Sequence, residues 1–134
     1  MRPTDIIEAF SEKKISTTFI PPTVIYMMLA EIGGSASFPH LKRLIYGGAP
    51  MPPEKIRETR SVFGDVVATN YGQTEAPQVV TFLSPREMVD EGLVASVGRA
   101  SFLTRVEIMD PDSQKIMPAG EDGEIVLSGG LTMT

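Results

Sequence analysis

The chain has 134 residues, with 12 Lys or Arg against 17 Asp or Glu, a formal charge of −5. That length suits one domain able to bury about two-thirds of its unfolded surface. A composition of 42% hydrophobic and 22% charged residues excludes disordered, collagen-like and coiled-coil chains. The longest apolar run, residues 25–30, is far shorter than the roughly 20 residues of a membrane-spanning helix. No cationic, apolar secretion signal opens the chain, so the expectation is a cytoplasmic protein without a transmembrane segment. Cysteine is absent and His40 is the single histidine, which excludes disulfides, thiolate metal sites and a two-histidine site. Residues 1–67 hold 8 basic and 7 acidic groups, whereas residues 68–134 hold 4 and 10. A phosphate-backbone binder carries the opposite bias, so no nucleic-acid partner is expected.

In chain order, Pro3 and Thr4 precede a helical segment with Ile6, Ile7 and Phe10 on one side, and Asp5 and Glu8 are spaced as in an N-terminal cap. Residues 15–20, rich in β-branched side chains, predict a strand ended by Pro21 and Pro22. Thr23 is then a candidate cap for a helix carrying Val24, Met27, Met28 and Glu31, stopped by Gly33 and Gly34. Residues 41–46 predict a second strand and residues 53–63 a helix, with Gly64 just past its end. Residues 66–70 predict a third strand. Strand, helix, strand, helix, strand is the pattern of a parallel sheet covered by helices. The texture changes near residue 95. Residues 103–109, 115–117 and 124–128 read as short antiparallel strands around the turn Asp110-Pro111-Asp112. The expected architecture is therefore α/β: a partial parallel sheet flanked by helices over residues 1–95, then antiparallel β structure over residues 96–134. Residues 131–134 follow a Gly-Gly pair without a closing element, which reads as a cut within one larger domain.

The segment Asn70-Tyr71-Gly72-Gln73-Thr74-Glu75 lies just after a predicted buried strand, where open parallel sheets bind ligands. Tyr71 can stack on a flat heterocycle, Thr74 can donate to a phosphate, and Glu75 can hold Mg²⁺. Gly72 lets the backbone come close to a ligand. Gly47-Gly48-Ala49-Pro50 follows the preceding strand in the same way, so both loops are expected to open on one edge of the sheet.

These residues resemble the adenylate-forming superfamily, which includes acyl-CoA synthetases, luciferases and nonribosomal peptide adenylation domains. Residues 71–75 are similar to its Tyr-Gly-x-Thr-Glu signature, and Gly47-Gly48-Ala49-Pro50 to its adenine loop. Ser96-Val97-Gly98-Arg99, residues 106–111, Pro118-Ala119-Gly120-Glu121 and Gly123-Glu124-Ile125 follow in the family's order. The resemblance implies that Tyr71 stacks on adenine, with Gly48, Ala49, Pro50 and Asn70 bordering the ring. It implies that Thr74 meets the α-phosphate of ATP and that Glu75 ligates Mg²⁺, both as catalytic groups. Gly72, Val79 and Gly98 would lie beside the carboxylic acid. The implied reaction activates a fatty or aromatic acid as an acyl-adenylate and transfers it to coenzyme A.

Several family parts have no counterpart here: the Ser/Thr/Gly-rich phosphate loop, the ribose-binding Asp and the distal catalytic Lys. Phe102 and Leu103 stand where many members have Pro-Gly. The chain therefore reads as an internal piece of such an enzyme's N-terminal domain, inactive alone and prone to self-association through uncovered apolar faces. Two alternatives stay open: an adenylation domain that loads a carrier-protein thiol, and a non-catalytic α/β interaction module. Met27 and Met28 read as core filler. His40 reads as a solvated loop residue, and Glu121, Asp122 and Glu124 as a solvated turn.

Overall fold

A computed structural model describes residues 2–34, 36–102, 104–130 and 132, and the backbone alone of Pro77 and Gln78. Its elements are α1 (Pro3–Glu12), β1 (Thr17–Phe19), α2 (Pro22–Ile32), β2 (Arg43–Tyr46), α3 (Pro53–Phe63), β3 (Val67–Gln73), β4 (Ala76–Leu83), α4 (Pro85–Met88), β5 (Arg99–Ala100), β6 (Thr104–Met109) and β7 (Glu124–Gly129).

The first five strands form one sheet in the order β1-β2-β3-β4-β5. The β1–β2 and β2–β3 pairs are parallel, joined through α2 and α3 as two successive βαβ units. The β3–β4 and β4–β5 pairs are antiparallel, so the sheet is mixed. The expected parallel sheet accounts for β1 to β3. Residues 66–70 were expected as a strand ending before the motif, but β3 runs on through Asn70, Tyr71 and Gly72 to Gln73 and turns back as β4. The motif is thus one arm and the tip of a hairpin, because Tyr71 and Gln73 find ladder partners in Thr81 and Ala76.

Helix starts follow proline more than side-chain caps. Thr23 lies inside α2, with Pro21 at the cap position and Pro22 at the first turn. A proline there has its φ already set and lacks an N–H that would go unpaired. In α1 the Asp5 carboxylate accepts from the Arg2 backbone N–H at 2.9 Å, so Arg2 and Asp5 form the cap in place of Asp5 and Glu8. Ser84 and Glu87 make a reciprocal capping box at α4: the Glu87 N–H donates to Ser84 Oγ and the Ser84 N–H donates to Glu87 Oε2.

Alternation along the strands divides the sheet into two faces. Leu44, Tyr46, Val67 and Leu83 belong to a buried cluster with Phe10 of α1, Ile25, Met28 and Leu29 of α2, Ile56 and Phe63 of α3, and Met88 of α4. Phe38 stacks on Phe63 with centroids 5.1 Å apart, and Phe10 meets both rings edge-on. Met28 is core, as expected. Met27, one residue away on the helix, is 54% exposed and is not core filler. The opposite face carries Phe19, Ile45, Ala68, Asn70 and Phe82, and Phe19 is 55% exposed.

Strands β6 and β7 make a separate antiparallel ribbon, in register from Thr104↔Gly129 to Met109↔Glu124. The strand expected over residues 115–117 is reduced to one bridge between Met109 and Ile116. The turn at Asp110 is closed by its carboxylate accepting from the Ser113 N–H at 2.6 Å. Of the expectations above, those on Leu103 and on residues 131, 133 and 134 lie outside the described residues.

Candidate active site

The C-terminal end of β2 lies beside the middle of β3, with Tyr46 opposite Thr69, so the Gly47-Gly48-Ala49-Pro50 turn emerges beside Asn70. Gly47 is required by that closeness. A Cβ there would sit 2.3 Å from Asn70 Oδ1 and 3.1 Å from a ring carbon of Phe19. With no side chain at 47, the Asn70 amide lies across the end of β2. Its Oδ1 is buried and, among the described residues, has no hydrogen-bond partner. An unpaired buried carbonyl costs about 1–3 kcal/mol, which a ligand donor would recover.

Two cavities flank this point. One, of about 350 Å³, is lined by Tyr46, Gly48, Ala49, Pro50, Met51, Thr69, Asn70, Tyr71, Gly72 and residues 94–97. The other, of about 530 Å³, is lined by Phe19, Ile45, Gly48, Asn70, Gly72, Gln73, Val79 and Phe82. Gly48, Asn70 and Gly72 border both, forming a shared ridge. The first cavity brings together all five residues assigned to the adenine: Gly48, Ala49, Pro50, Asn70 and Tyr71. The second brings together Gly72 and Val79, two of the three assigned to the acid.

The remaining candidates stand apart from both linings. Thr74 and Glu75 are exposed at the tip of the β3–β4 hairpin. Gly98 is held against β4, where a Cβ would meet the Phe82 carbonyl oxygen at 2.1 Å and its φ is +88°. Only glycine allows that approach. Between Tyr71 and Gln73 the β3–β4 register shifts, so residues 77–80 of β4 face Gly72 alone. Bulges of this kind re-aim side chains beside active sites, and this one sets Val79 against the second cavity.

Residues 94–97, which wall the first cavity, are pinned from three directions. Thr81 Oγ1 donates to the Val97 carbonyl at 2.7 Å. At the near end, Arg57 donates to Glu91 at 2.8 and 3.0 Å, and this bond holds the Glu91 carboxyl below its ordinary value. At the far end Arg99 reaches Glu87 at 3.3 Å. The Glu87 carboxyl is likewise lowered, first by the Ser84 hydroxyl and backbone and then by Arg99. Beneath the cavity, burial pushes the Tyr46 phenol up, against a smaller opposing hydrogen bond from Thr69.

Sequence reasoning missed Phe19, Ile45, Gln73 and Phe82 in the second cavity and Tyr46, Met51, Thr69, Val94 and Ala95 in the first. Tyr46 and Ile45 directly precede the glycine turn and were reachable from position. Phe19 and Phe82 come into the site only through strand register.

The Mg²⁺ implied by the family has one candidate ligand, Glu75. Among the described residues no group of three or more acidic or histidine side chains could hold a metal. A lone exposed carboxylate fits Mg²⁺ that is held mainly by nucleotide phosphates and water.

The sequence profile of the family described as AMP-binding enzyme matches residues 1–134. The chain is 32% identical to the medium/long-chain-fatty-acid–CoA ligase FadD8 of Mycobacterium tuberculosis, over 96% of this chain and 22% of that protein. It is 30% identical to a feruloyl-CoA synthase of Amycolatopsis, over 98% of this chain and 26% of the relative. The amide bond synthetase McbA of Marinactinospora thermotolerans superposes with a TM-score of 0.89 at 29% identity, covering 100% of this chain and 27% of that one. The chain thus spans about a quarter of the length of these relatives. Signature, sheet and profile agree: the chain belongs to the AMP-binding enzyme family.

Proposed function

We propose that this chain forms the nucleotide- and acid-facing part of an AMP-forming acid–thiol ligase, an acyl-CoA synthetase acting on a fatty or aromatic acid. The observation that carries the reading is the pair of cavities sharing the ridge Gly48, Asn70 and Gly72. Adenylation needs a flat base and an acid held on either side of one phosphate. In this reading adenine lies against Tyr71 in the 350 Å³ cavity, bordered by Gly48, Ala49 and Pro50. The hydrocarbon part of the acid lies among Phe19, Ile45, Val79 and Phe82, none of them charged.

A carboxylate is a poor acyl donor because its leaving group would be oxide. Attack of the carboxylate oxygen on the α-phosphorus of ATP expels pyrophosphate and gives an acyl-adenylate, whose later leaving group, AMP, is far less basic. Thr74 at the hairpin tip donates to the α-phosphate, and fixed donors of this kind lower the barrier as charge develops there. Glu75 would hold Mg²⁺, which supplies charge neutralisation at the phosphates. The thiol sulfur of coenzyme A then attacks the acyl carbon and AMP leaves. Coenzyme A as acceptor rests on the two CoA-ligase relatives. An amide bond synthetase among the neighbours supports the reading in which an amine accepts the same adenylate, and the fatty acid–acyl-carrier-protein ligase ScoC of Streptomyces coeruleorubidus, 28% identical, supports a carrier-protein thiol.

The test is acid-dependent ATP–pyrophosphate exchange by the gene product that carries this chain, with decanoate and 4-coumarate as probes, followed by AMP release on adding coenzyme A. Exchange that needs no carboxylic acid contradicts the reading. The 134-residue chain alone is expected to give no exchange, since it spans about a quarter of its relatives. It is also expected to self-associate through the free edge of β1 and the exposed Phe19. A monomer in light scattering at high concentration contradicts that. Among the described residues no helix is long and apolar enough to cross a membrane, and a cytoplasmic location belongs to the same proposal.

A further inference from the structure

We propose that Thr81 is a positioning residue that sets the width of the nucleotide slot by tying the wall at Val97 to the strand that carries Tyr71. The inference rests on the nucleotide reading above. Thr81 is the direct cross-strand partner of Tyr71 in the β3–β4 ladder. Partners of this kind share a face, with Cβ atoms roughly 4.5–5.5 Å apart. Thr81 therefore lies beside the Tyr71 ring on the side of the 350 Å³ cavity. Its side chain is buried at 6% exposure, and its hydroxyl donates to the Val97 carbonyl at 2.7 Å.

Val97 belongs to no strand, so its carbonyl has no ladder to pair with, and the Thr81 hydroxyl supplies the donor. The same crossing is tightened by Gly98, which lies against the Phe82 backbone. Thr81 thus makes a direct bond between the strand paired with the stacking ring and the opposite wall. A buried threonine is satisfied by any acceptor. What makes this one specific is that its acceptor is the wall of the cavity and its neighbour is the ring.

The test is AMP titration by calorimetry of the gene product that carries this chain, with thermal melting measured in parallel, for the wild type, Thr81→Val, Thr81→Ser and Tyr71→Ala. Thr81→Val keeps the shape and removes the donor. It is expected to weaken AMP binding about five- to tenfold, the loss that follows when only about a tenth to a fifth of the molecules keep the slot at its proper width. Thr81→Ser restores the hydroxyl and is expected to bind within about twofold of wild type, from the same bond. If Thr81→Val fails to fold, Thr81→Ala against Thr81→Ser makes the same comparison, and weakened binding in the alanine variant alone supports the proposal. Equal AMP affinity in wild type and Thr81→Val overturns the positioning role while leaving the nucleotide site intact, as does a serine variant no better than valine. Wild-type gene product that binds AMP no better than its Tyr71→Ala variant overturns the nucleotide reading and this inference with it.

Discussion

The two cavities share three residues but are built on different physical terms. The 350 Å³ cavity lies on the helix-covered side, between the glycine turn and a segment held by the Thr81 hydroxyl and by the Arg57–Glu91 and Arg99–Glu87 pairs. The 530 Å³ cavity lies on the opposite face, between the exposed Phe19 ring and Phe82, with no charged group among the described residues of its lining. A constant ligand such as a nucleotide suits a wall fixed by polar bonds. A ligand that varies between relatives suits an apolar face whose side chains change the shape without disturbing the fold. In the proposed reading, this difference lets one sheet edge keep adenylation constant while the acid changes.

Breaking the partition at its tightest point has the largest effect. Gly98→Val places a side chain against the Phe82 backbone at a φ of +88°. It is expected to destabilise the chain by about 3 kcal/mol or more, read by denaturant unfolding. Gly47→Ala forces Asn70 and Phe19 apart and is expected to cost about 2 kcal/mol, altering both cavities at once because Asn70 borders both. Tyr71→Ala sharpens the comparison. The ring is half-buried, so stability should change little, while AMP binding falls about tenfold by isothermal titration.

The smallest effect is the pH dependence. Glu87 and Glu91 have carboxyls lowered by Ser84 and Arg57 respectively. Their stabilisation is complete above the unfolded carboxylate value of about 4.3 and is lost as pH falls through the lower folded values. Unfolding midpoints measured from pH 7 to pH 3 should fall on the acid side, and Glu87→Gln should flatten that limb. An unchanged limb in the variant contradicts the sign assigned here.

Helix α3 was legible to the residue because its signals are local: Pro53 at the first turn and Gly64 past the end. The glycine turn was legible as a turn for the same reason. The hairpin was not. Pro77 near the start of β4 reads as a breaker, and nothing local says that Thr81 pairs with Tyr71 across a register shift. Ser84-Pro85-Arg86-Glu87 did carry a readable capping box, and that signal was missed. At the site, residues next to a motif were within reach of sequence. Phe19 and Phe82, separated by 63 positions, meet one cavity only because β1 and β4 lie in one sheet.

The account stands most directly on where the base lies. Nuclear Overhauser contacts between AMP and the aromatic protons of the gene product that carries this chain decide it. The account predicts contacts from the adenine H2 and H8 protons to the ring of Tyr71 and none to Phe19 or Phe82. Adenine contacts to Phe19 or Phe82 without any to Tyr71 would contradict it.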